Sequence, residues 1–287
     1  MNRSADILDY LSENKDSEVI IIAPMAPPVD RSPQGLRVAL HQILDASDVA
    51  DTLDALYNRS TGLEESQISG SGTFSFGLKD VGRFRVSYTT QRGSKVVSIT
   101  RVPVAVPDLD DLSSDREEVG QVLDFLTSGV GGVCVYGPSV AKNSLLVYSL
   151  IQQINQSERR IIFCIERVLN CLMQHSNSII VQSELSVDVP SIEEGIDTGL
   201  RFAPDIMYVG DVRTTDELDM VTRSMESGIA TIFTSVASSP EVLHQVFREC
   251  KASTLASLRS LLRGTYGVDP NDDGSLHISF TGSSPFS

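Results

Sequence analysis

Apolar positions in the first third of the chain recur with helical and then with strand-like spacing. Ile7, Leu8 and Leu11 share one face of a predicted helix that Ser4 can cap. A buried strand, two amphipathic helices and three strands are then predicted, at residues 19–22, 36–44, 49–57, 73–78, 82–89 and 95–102. This pattern predicts an α+β module with an antiparallel sheet.

The second part of the chain has a different pattern. Residues 103–118 mix prolines with an acidic run, the composition of a flexible linker, so we place a boundary near residue 106 and predict domains 1–106 and 107–287. Beyond it, apolar runs alternate with helical segments, and strands are predicted at residues 133–136, 161–165, 179–181, 206–209, 230–234 and 276–280. This alternation predicts an α/β domain with a parallel sheet.

Composition narrows the function classes. The 287 residues carry 38 acidic and 23 basic side chains, a net charge of −15 that would repel a phosphate backbone, so nucleic acid is excluded as a partner. The acidity fits a soluble surface or docking onto a basic partner, and charge alone does not decide between them. Four cysteines without C-x-x-C spacing indicate a reducing compartment. Without a bilayer-length apolar run or a signal peptide, we expect a cytoplasmic protein that meets a membrane only through a partner.

One strand–turn–helix segment carries candidate chemistry. A P-loop, G-x-x-x-x-G-K-[ST], holds phosphates on backbone amides, places a lysine on the β and γ oxygens and binds Mg²⁺ through its hydroxyl. Gly137 and Ser144 occupy the outer positions of such a motif, whereas Lys142 stands at the second glycine and Asn143 at the lysine. The loop by itself is too altered to identify a nucleotide site.

The whole chain, however, resembles the PilT-like type IV pilus retraction and type II/IV secretion ATPase family, whose P-loop has the sequence GPTGSGKS. Gly137, Pro138, Ser139 and Ser144 align with that string. Segments similar to the family's GRFRVN, QRG, Asp box, Walker B (DPDIILVGEMRD) and LAxSLR sequences lie in the family's order, the first two before this loop and the other three after it, at residues 82–86, 91–93, 161–166, 203–213 and 255–259. The resemblance covers nearly all of residues 1–281. It implies a RecA-like P-loop core preceded by a PAS-like α+β domain, without the family's helical C-terminal domain.

The chain departs from the family where the resemblance places catalytic groups. Glu166 and Asp211 are the family-equivalent carboxylates, but Arg167 replaces the second acid of the Asp box, and Asp211 is shorter than the Walker B glutamate. Both histidines of the His box are replaced, by Ile229 and Val236. Phosphoryl transfer is catalysed by positioned cations, Mg²⁺ and a water-orienting group, so these changes predict a pseudo-ATPase.

Nucleotide binding and assembly follow the same resemblance. ATP or ADP with Mg²⁺ is the implied cofactor, with Ser144 as the Mg²⁺ ligand; we expect no tight binding, although Lys142 could swing its ammonium toward a phosphate. Arg83, Arg85 and Arg92 match positions that in the family reach the nucleotide of a neighbouring subunit, and solvated arginines or interface ion pairs are the plain alternative. Arg213 beside Asp211 is interpreted as a structural ion pair.

Three functions remain open at this stage. The first is a non-catalytic paralogue that regulates or scaffolds an intact pilus or secretion ATPase or its inner-membrane platform. The second is a slow ATPase with a non-standard P-loop that drives pilus retraction or secretion. The third is a structural protein that self-assembles. The family implies a homo-oligomer, with a ring of six subunits.

Overall fold

The computed structural model describes residues 3–32, 34–61 and 68–282. By its contacts the chain divides into two compact units, Met1–Pro103 and Val104–Ser287. Each unit contains its own sheet and its own apolar core. Each unit therefore buries its own apolar surface between a sheet and helices, as expected for a separate domain.

The first unit is an antiparallel sheet with two helices. Its elements in chain order are α1 (Ser4–Glu13), β1 (Val19–Ile22), β2 (Val29–Ser32), β3 (Gly35–Val38), α2 (Ala46–Thr61), β4 (Gly72–Leu78), β5 (Gly82–Gln91) and β6 (Ser94–Val102). The strand order is β3-β2-β1-β6-β5-β4, and every neighbouring pair is antiparallel. Ile7 of α1, Leu53 of α2 and Phe84 of β5 meet in its core.

The second unit is a mostly parallel sheet with helices on both faces. Its elements are α3 (Leu109–Leu112), α4 (Arg116–Ser128), β7 (Gly131–Gly137), α5 (Val140–Ser157), β8 (Ile161–Glu166), β9 (Ile179–Glu184), α6 (Ile192–Arg201), β10 (Ile206–Val212), α7 (Thr215–Glu226), β11 (Ala230–Val236), α8 (Pro240–Arg248), α9 (Ala252–Leu261), β12 (Leu262–Pro270) and β13 (Leu276–Gly282). The strand order is β13-β12-β7-β11-β10-β8-β9, and among the strands of residues 104–282 only β12 and β13 pair antiparallel. None of the helices in the described ranges has the length and apolar character that crossing a bilayer requires.

Alternate residues of β7 show how this sheet is covered. Val133 and Val135 enter a core with α4 and α5, whereas Cys134 and Tyr136 enter a second core with α6 and α7. The strand is buried on both faces, which explains its continuous apolar run.

Three expectations about local structure are wrong, and two further strands are missing from the prediction. The helix predicted at residues 36–44 is instead β3 followed by irregular chain, because pairing with β2 overrides the helical spacing. The acidic run after residue 108 is not a flexible linker, since it forms α3 and buries Leu109 and Leu112. The N-cap of α1 is Arg3, not Ser4. Strands β2 and β12 were not predicted, because short or glycine-interrupted segments give a weak apolar pattern.

Strand order determines where polar side chains collect. Strands β7, β11, β10 and β8 are adjacent and parallel, so their carboxyl ends lie along one edge of the sheet. Such an edge is where open α/β sheets bind ligands. The edge carries the residues after β7, the end of β8 and the end of β10, which are the segments that the sequence singled out.

Candidate functional site

The turn after β7 is short. The strand ends at Gly137 and α5 begins at Val140, so only Pro138 and Ser139 lie between them. Ser139 is the N-cap of α5, and its Oγ accepts a hydrogen bond from the Lys142 amide at 3.4 Å. A P-loop presents a longer run of amides to phosphate oxygens before its helix begins. Here the helix already begins at Val140, so most of the amides of the corresponding segment belong to the first turn of α5.

Asn143 stands at the position of the P-loop lysine and points into the protein. Its side chain is 1% exposed. Nδ2 donates to the carbonyl oxygens of Gly137, at 3.2 Å, and Ser235, at 3.0 Å. The Asn143 amide itself donates to the Ser139 carbonyl at 3.0 Å. Asn143 therefore joins the ends of β7 and β11, and its polar group does not face the cleft.

Gly137 is constrained by packing. A Cβ at this position would lie 2.3 Å from the carbonyl oxygen of Val268 in β12 and 2.7 Å from Oδ1 of Asn143. Real Cβ atoms do not approach backbone oxygens so closely. A glycine is therefore required here by the sheet, whether or not a phosphate binds.

Ser144, at the position of the Mg²⁺ ligand, belongs to a buried group of hydroxyls and one carboxyl. Its Oγ accepts a hydrogen bond from the Tyr208 hydroxyl at 3.1 Å. The Tyr148 hydroxyl donates to Glu166 Oε2 at 2.6 Å. The two tyrosine rings meet edge to face, with centroids 6.2 Å apart. We call Ser144, Tyr148, Glu166 and Tyr208 the buried tyrosine network.

Glu166 ends β8 and is fully enclosed. The pKa of its carboxyl is raised to about 8, chiefly by burial; the neighbouring Tyr148 and Tyr208 hydroxyls lower it and the nearby Glu184 raises it. Its Oε1 is buried and has no hydrogen-bond partner among the described residues. At neutral pH Glu166 is therefore mostly a neutral carboxylic acid.

Asp211 lies where β10 changes register against β11, in a left-handed backbone conformation with φ of 59°. Its Oδ2 is 2.8 Å from Arg213 Nε and 2.5 Å from Arg213 Nη2. Arg167 Nε lies 3.7 Å from the same oxygen, and Arg167 also pairs with Glu217 of α7. Hydrogen bonding to Asp211 raises the pKa of the Arg213 guanidinium. The carboxylates of Asp211 and Glu217 are thus both paired with arginines.

A cleft of about 260 Å³ separates these two sides. The N-terminus of α5, Glu166, Arg167, Asp211 and Arg213 line it. Its volume is below the roughly 300–1,000 Å³ of ordinary small-molecule sites. No group of three or more His, Cys, Asp or Glu side chains suited to a metal ion occurs in the described parts of the chain.

The three first-unit arginines are not brought together. Arg83 and Arg85 lie on β5 and alternate with the buried Phe84. Arg92 is exposed in the two-residue turn between β5 and β6, with φ of 50°. Seven residues along an extended strand separate Arg85 from Arg92, on the order of 20 Å. Three guanidinium groups so spaced do not converge on one phosphate.

The two His-box positions are also separated. Ile229 directly precedes β11, and its side chain packs in the second unit's core. Val236 is the last residue of β11, at the edge that carries the cleft, and is exposed. The length of β11 therefore lies between the two positions.

Some residues of the site were not singled out from sequence. Tyr148 and Tyr208 were hidden within apolar runs, where a tyrosine is an ordinary core residue. Glu217 had a recognisable signal, because Thr214 and Glu217 form a capping box with the T-x-x-E spacing at the start of α7. The Glu217 carboxylate thereby meets both the helix start and Arg167.

The chain belongs to the type II/IV secretion system protein family, whose sequence profile matches residues 59–243. It is 27% identical over 156 residues to the type IV pilus ATPase PilU of Pseudomonas aeruginosa and 30% identical over 158 residues to the twitching motility protein of Neisseria gonorrhoeae. Each match covers 54% of this chain and 40% of the relative. The matched region is thus less than half of either relative's length.

Solved structures show the same fold. The crystal structure of the pilus retraction motor PilT with bound ADP has a TM-score of 0.78 at 21% identity, covering 98% of this chain and 82% of that one. The ATPase DotB of Legionella pneumophila has a TM-score of 0.68 at 16% identity, covering 96% and 79%. The RecA-like α/β fold predicted from the sequence is confirmed, and so is the resemblance to this ATPase family. The PAS-like description of the first unit stays a prediction.

Proposed function

We propose that this chain is a non-catalytic member of the family, which regulates or scaffolds an intact pilus or secretion ATPase or its inner-membrane platform. The observation that carries the proposal is Asn143. A buried amide tied to two carbonyls cannot supply the positive charge that a γ-phosphate requires. A charged hydrogen bond of that kind is worth about 1.5–3 kcal/mol, or roughly 10- to 100-fold in affinity.

The carboxylate side supports the same proposal. A neutral Glu166 does not attract a divalent cation, and Asp211 is already paired with arginines. Ser144 is engaged by Tyr208. The residues as arranged therefore do not fit Mg²⁺-bound ATP, so we derive no hydrolytic step for this chain.

Assembly is part of the proposal. The family relationship and the first-unit arginines support a homo-oligomer, with a ring of six subunits, that acts at the inner membrane through its partners. Because the nucleotide contributes little here, the oligomer should form without ATP. Sedimentation with and without Mg-ATP checks this, and a monomer that assembles only with Mg-ATP would contradict it.

A slow ATPase is the second candidate. The observation that favours it is the cleft at the N-terminus of α5, which still contains Asp211 and borders Ser144. In this alternative Lys142 supplies the missing cation. Reproducible ATP turnover by the natural chain, even well below the usual enzyme range of about 1 per second or faster, would favour it over the first proposal.

The deciding experiment compares the natural chain with a repaired loop. Lys142→Gly together with Asn143→Lys recreates the P-loop pattern without changing the net charge. Gln153→Lys, which places a lysine at an exposed position of α5, is the control for a lysine outside the loop. Calorimetric titration should show roughly 10- to 100-fold tighter ATP binding for the repaired loop alone. Phosphate release should stay at background in all three proteins. Turnover by the repaired loop would show that the remaining groups are competent and would overturn the mechanism proposed here.

A further inference from the structure

Tyr208 interrupts an aliphatic strand at the base of the cleft. It lies on β10 within the run Ile206–Val209, and its side chain is completely buried. In the family segment DPDIILVGEMRD the aligned residue is leucine. A phenol in such a place must satisfy its hydroxyl, because an unpaired buried hydroxyl is costly. It does so on Ser144, at 3.1 Å.

That hydrogen bond concerns the oxygen which would bind a metal ion. Mg²⁺ requires an almost regular octahedron of oxygens at 2.0–2.1 Å, several of them water. A phenol hydroxyl directed at Ser144 Oγ occupies one of its lone pairs and fills the adjoining space. Gly210 also packs tightly against the Tyr208 hydroxyl. A Cβ built on Gly210 would lie 3.0 Å from this hydroxyl and 2.9 Å from Cγ of Glu166.

Tyr208 is also held in place by its neighbours. The ring of Tyr148 packs edge-on against it, and the Tyr148 hydroxyl is fixed between Glu166 Oε2 and the amide of Asn170, which donates to it at 3.1 Å. A rotation of Tyr208 away from Ser144 would disturb this packing. The contact is therefore a property of the folded core rather than of a movable surface side chain.

We propose that Tyr208 is a specificity-determining residue of this site: its hydroxyl occupies Ser144 and thereby prevents Ser144 from binding the divalent cation of a nucleotide. The inference rests on the proposed function and adds a cause separate from Asn143. Asn143 removes the charge for the phosphate, whereas Tyr208 removes the place for the metal. Restoring one does not restore the other.

The test measures ATP binding with Mg²⁺ and with EDTA, by calorimetry, in the repaired chain carrying Lys142→Gly and Asn143→Lys. With Tyr208 present, we expect the two affinities to agree within about 3-fold. Adding Tyr208→Phe or Tyr208→Leu should make binding at least about 10-fold tighter with Mg²⁺ than with EDTA, as expected for a gained charged contact. Tyr266→Phe, which removes a hydroxyl from β12 of the same sheet, is the matched control and should change nothing.

The possible outcomes separate the two proposals. Equal binding with Mg²⁺ and EDTA after removal of Tyr208, including no binding at all, overturns the role of Tyr208 alone. Mg²⁺ dependence in the repaired chain that keeps Tyr208 overturns it as well. Hydrolysis of ATP by the natural chain counts against the proposed function instead.

A second measurement applies if the repaired Tyr208 variants do not fold. In the natural chain, Tyr208→Phe, Ser144→Ala and their combination form a double-mutant cycle in urea unfolding. If the two hydroxyls are coupled as proposed, the effect of the double variant on the unfolding constant should differ from the product of the two single effects by at least about 3-fold, the size of one neutral hydrogen bond. Independent effects would overturn the contact on which the inference depends.

Discussion

The two sides of the cleft are closed by different chemistry. On the side of β7 and α5, the buried polar side chains of Asn143 and Ser144 are neutral, and Asn143 donates to two backbone carbonyls. On the side of β8 and β10, charges remain, but Arg167 and Arg213 neutralise Asp211 and Glu217. The first side thus has no charged group among these residues, and on the second side each carboxylate is already paired with an arginine.

This difference determines how each side responds to perturbation. Neutral hydrogen bonds between buried groups depend on geometry and are little affected by salt. Ion pairs at a partly open cleft are weakened by screening, and removal of one partner leaves the other charge uncompensated. The neutral side should therefore be sensitive to side-chain shape, and the charged side to ionic conditions.

The largest expected effect is at Glu166, which contacts both sides. Its pKa is raised from 4.5 to about 8 in the folded chain, so the folded state holds a proton that the unfolded state releases. Stability from this group is fully present below pH 4.5 and is lost as pH rises to about 8. Glu166→Gln cannot titrate, so urea unfolding should show it gaining about 3–4 kcal/mol relative to wild type between pH 5 and pH 8.

The exposed Glu117 provides the control for that comparison. Glu117→Gln removes a carboxylate from the surface of α4 and should leave the difference from wild type nearly constant over the same pH range. A pH-independent difference between wild type and Glu166→Gln would mean that Glu166 is ionised in the fold. Such a result would contradict the description of Glu166 as a neutral group between the two sides.

The next effect concerns the neutral side. Asn143→Leu keeps the branching of the side chain but removes the donor for the Gly137 and Ser235 carbonyls, and we expect about 2–3 kcal/mol of lost unfolding free energy. The loss should be the same in 0.1 M and 1 M NaCl. Gln153→Leu, at an exposed position of the same helix, should change stability by less than about 0.5 kcal/mol. A strongly salt-dependent loss for Asn143→Leu would contradict the conclusion that this side is held by neutral hydrogen bonds.

The smallest effects distinguish two arginines on the charged side. Arg167 is 25% exposed and contacts both Asp211 and Glu217, whereas Arg213 is 59% exposed. We expect about 1–2 kcal/mol of lost stability for Arg167→Gln and less than about 1 kcal/mol for Arg213→Gln. Both losses should shrink in 1 M NaCl. Equal losses would show that burial does not set the strength of these pairs.

Sequence reasoning succeeded where burial alone shapes the pattern. The strands of the parallel sheet are apolar on both faces, so their runs at β7, β8 and β10 were visible without any contact information. It failed at β3, whose four residues depend on pairing with β2. Short edge strands carry little pattern of their own.

The site was less accessible for a related reason. Which residues replace the P-loop lysine and the second Asp-box acid could be predicted from the chain. That Asn143 turns inward, or that Tyr208 reaches Ser144, depends on contacts between residues 92 and 64 positions apart. Side-chain direction at a strand end is set by its spatial neighbours, and no local spacing specifies it.

Gly137 has a consequence for how such motifs persist. The Val268 carbonyl of β12 already forbids a side chain there. Selection for a folded sheet is therefore enough to keep this glycine through generations in which no nucleotide is bound. The first glycine of a phosphate-loop signature can accordingly be inherited as architecture, and its presence in a distant descendant says nothing about ancestral chemistry still being in use.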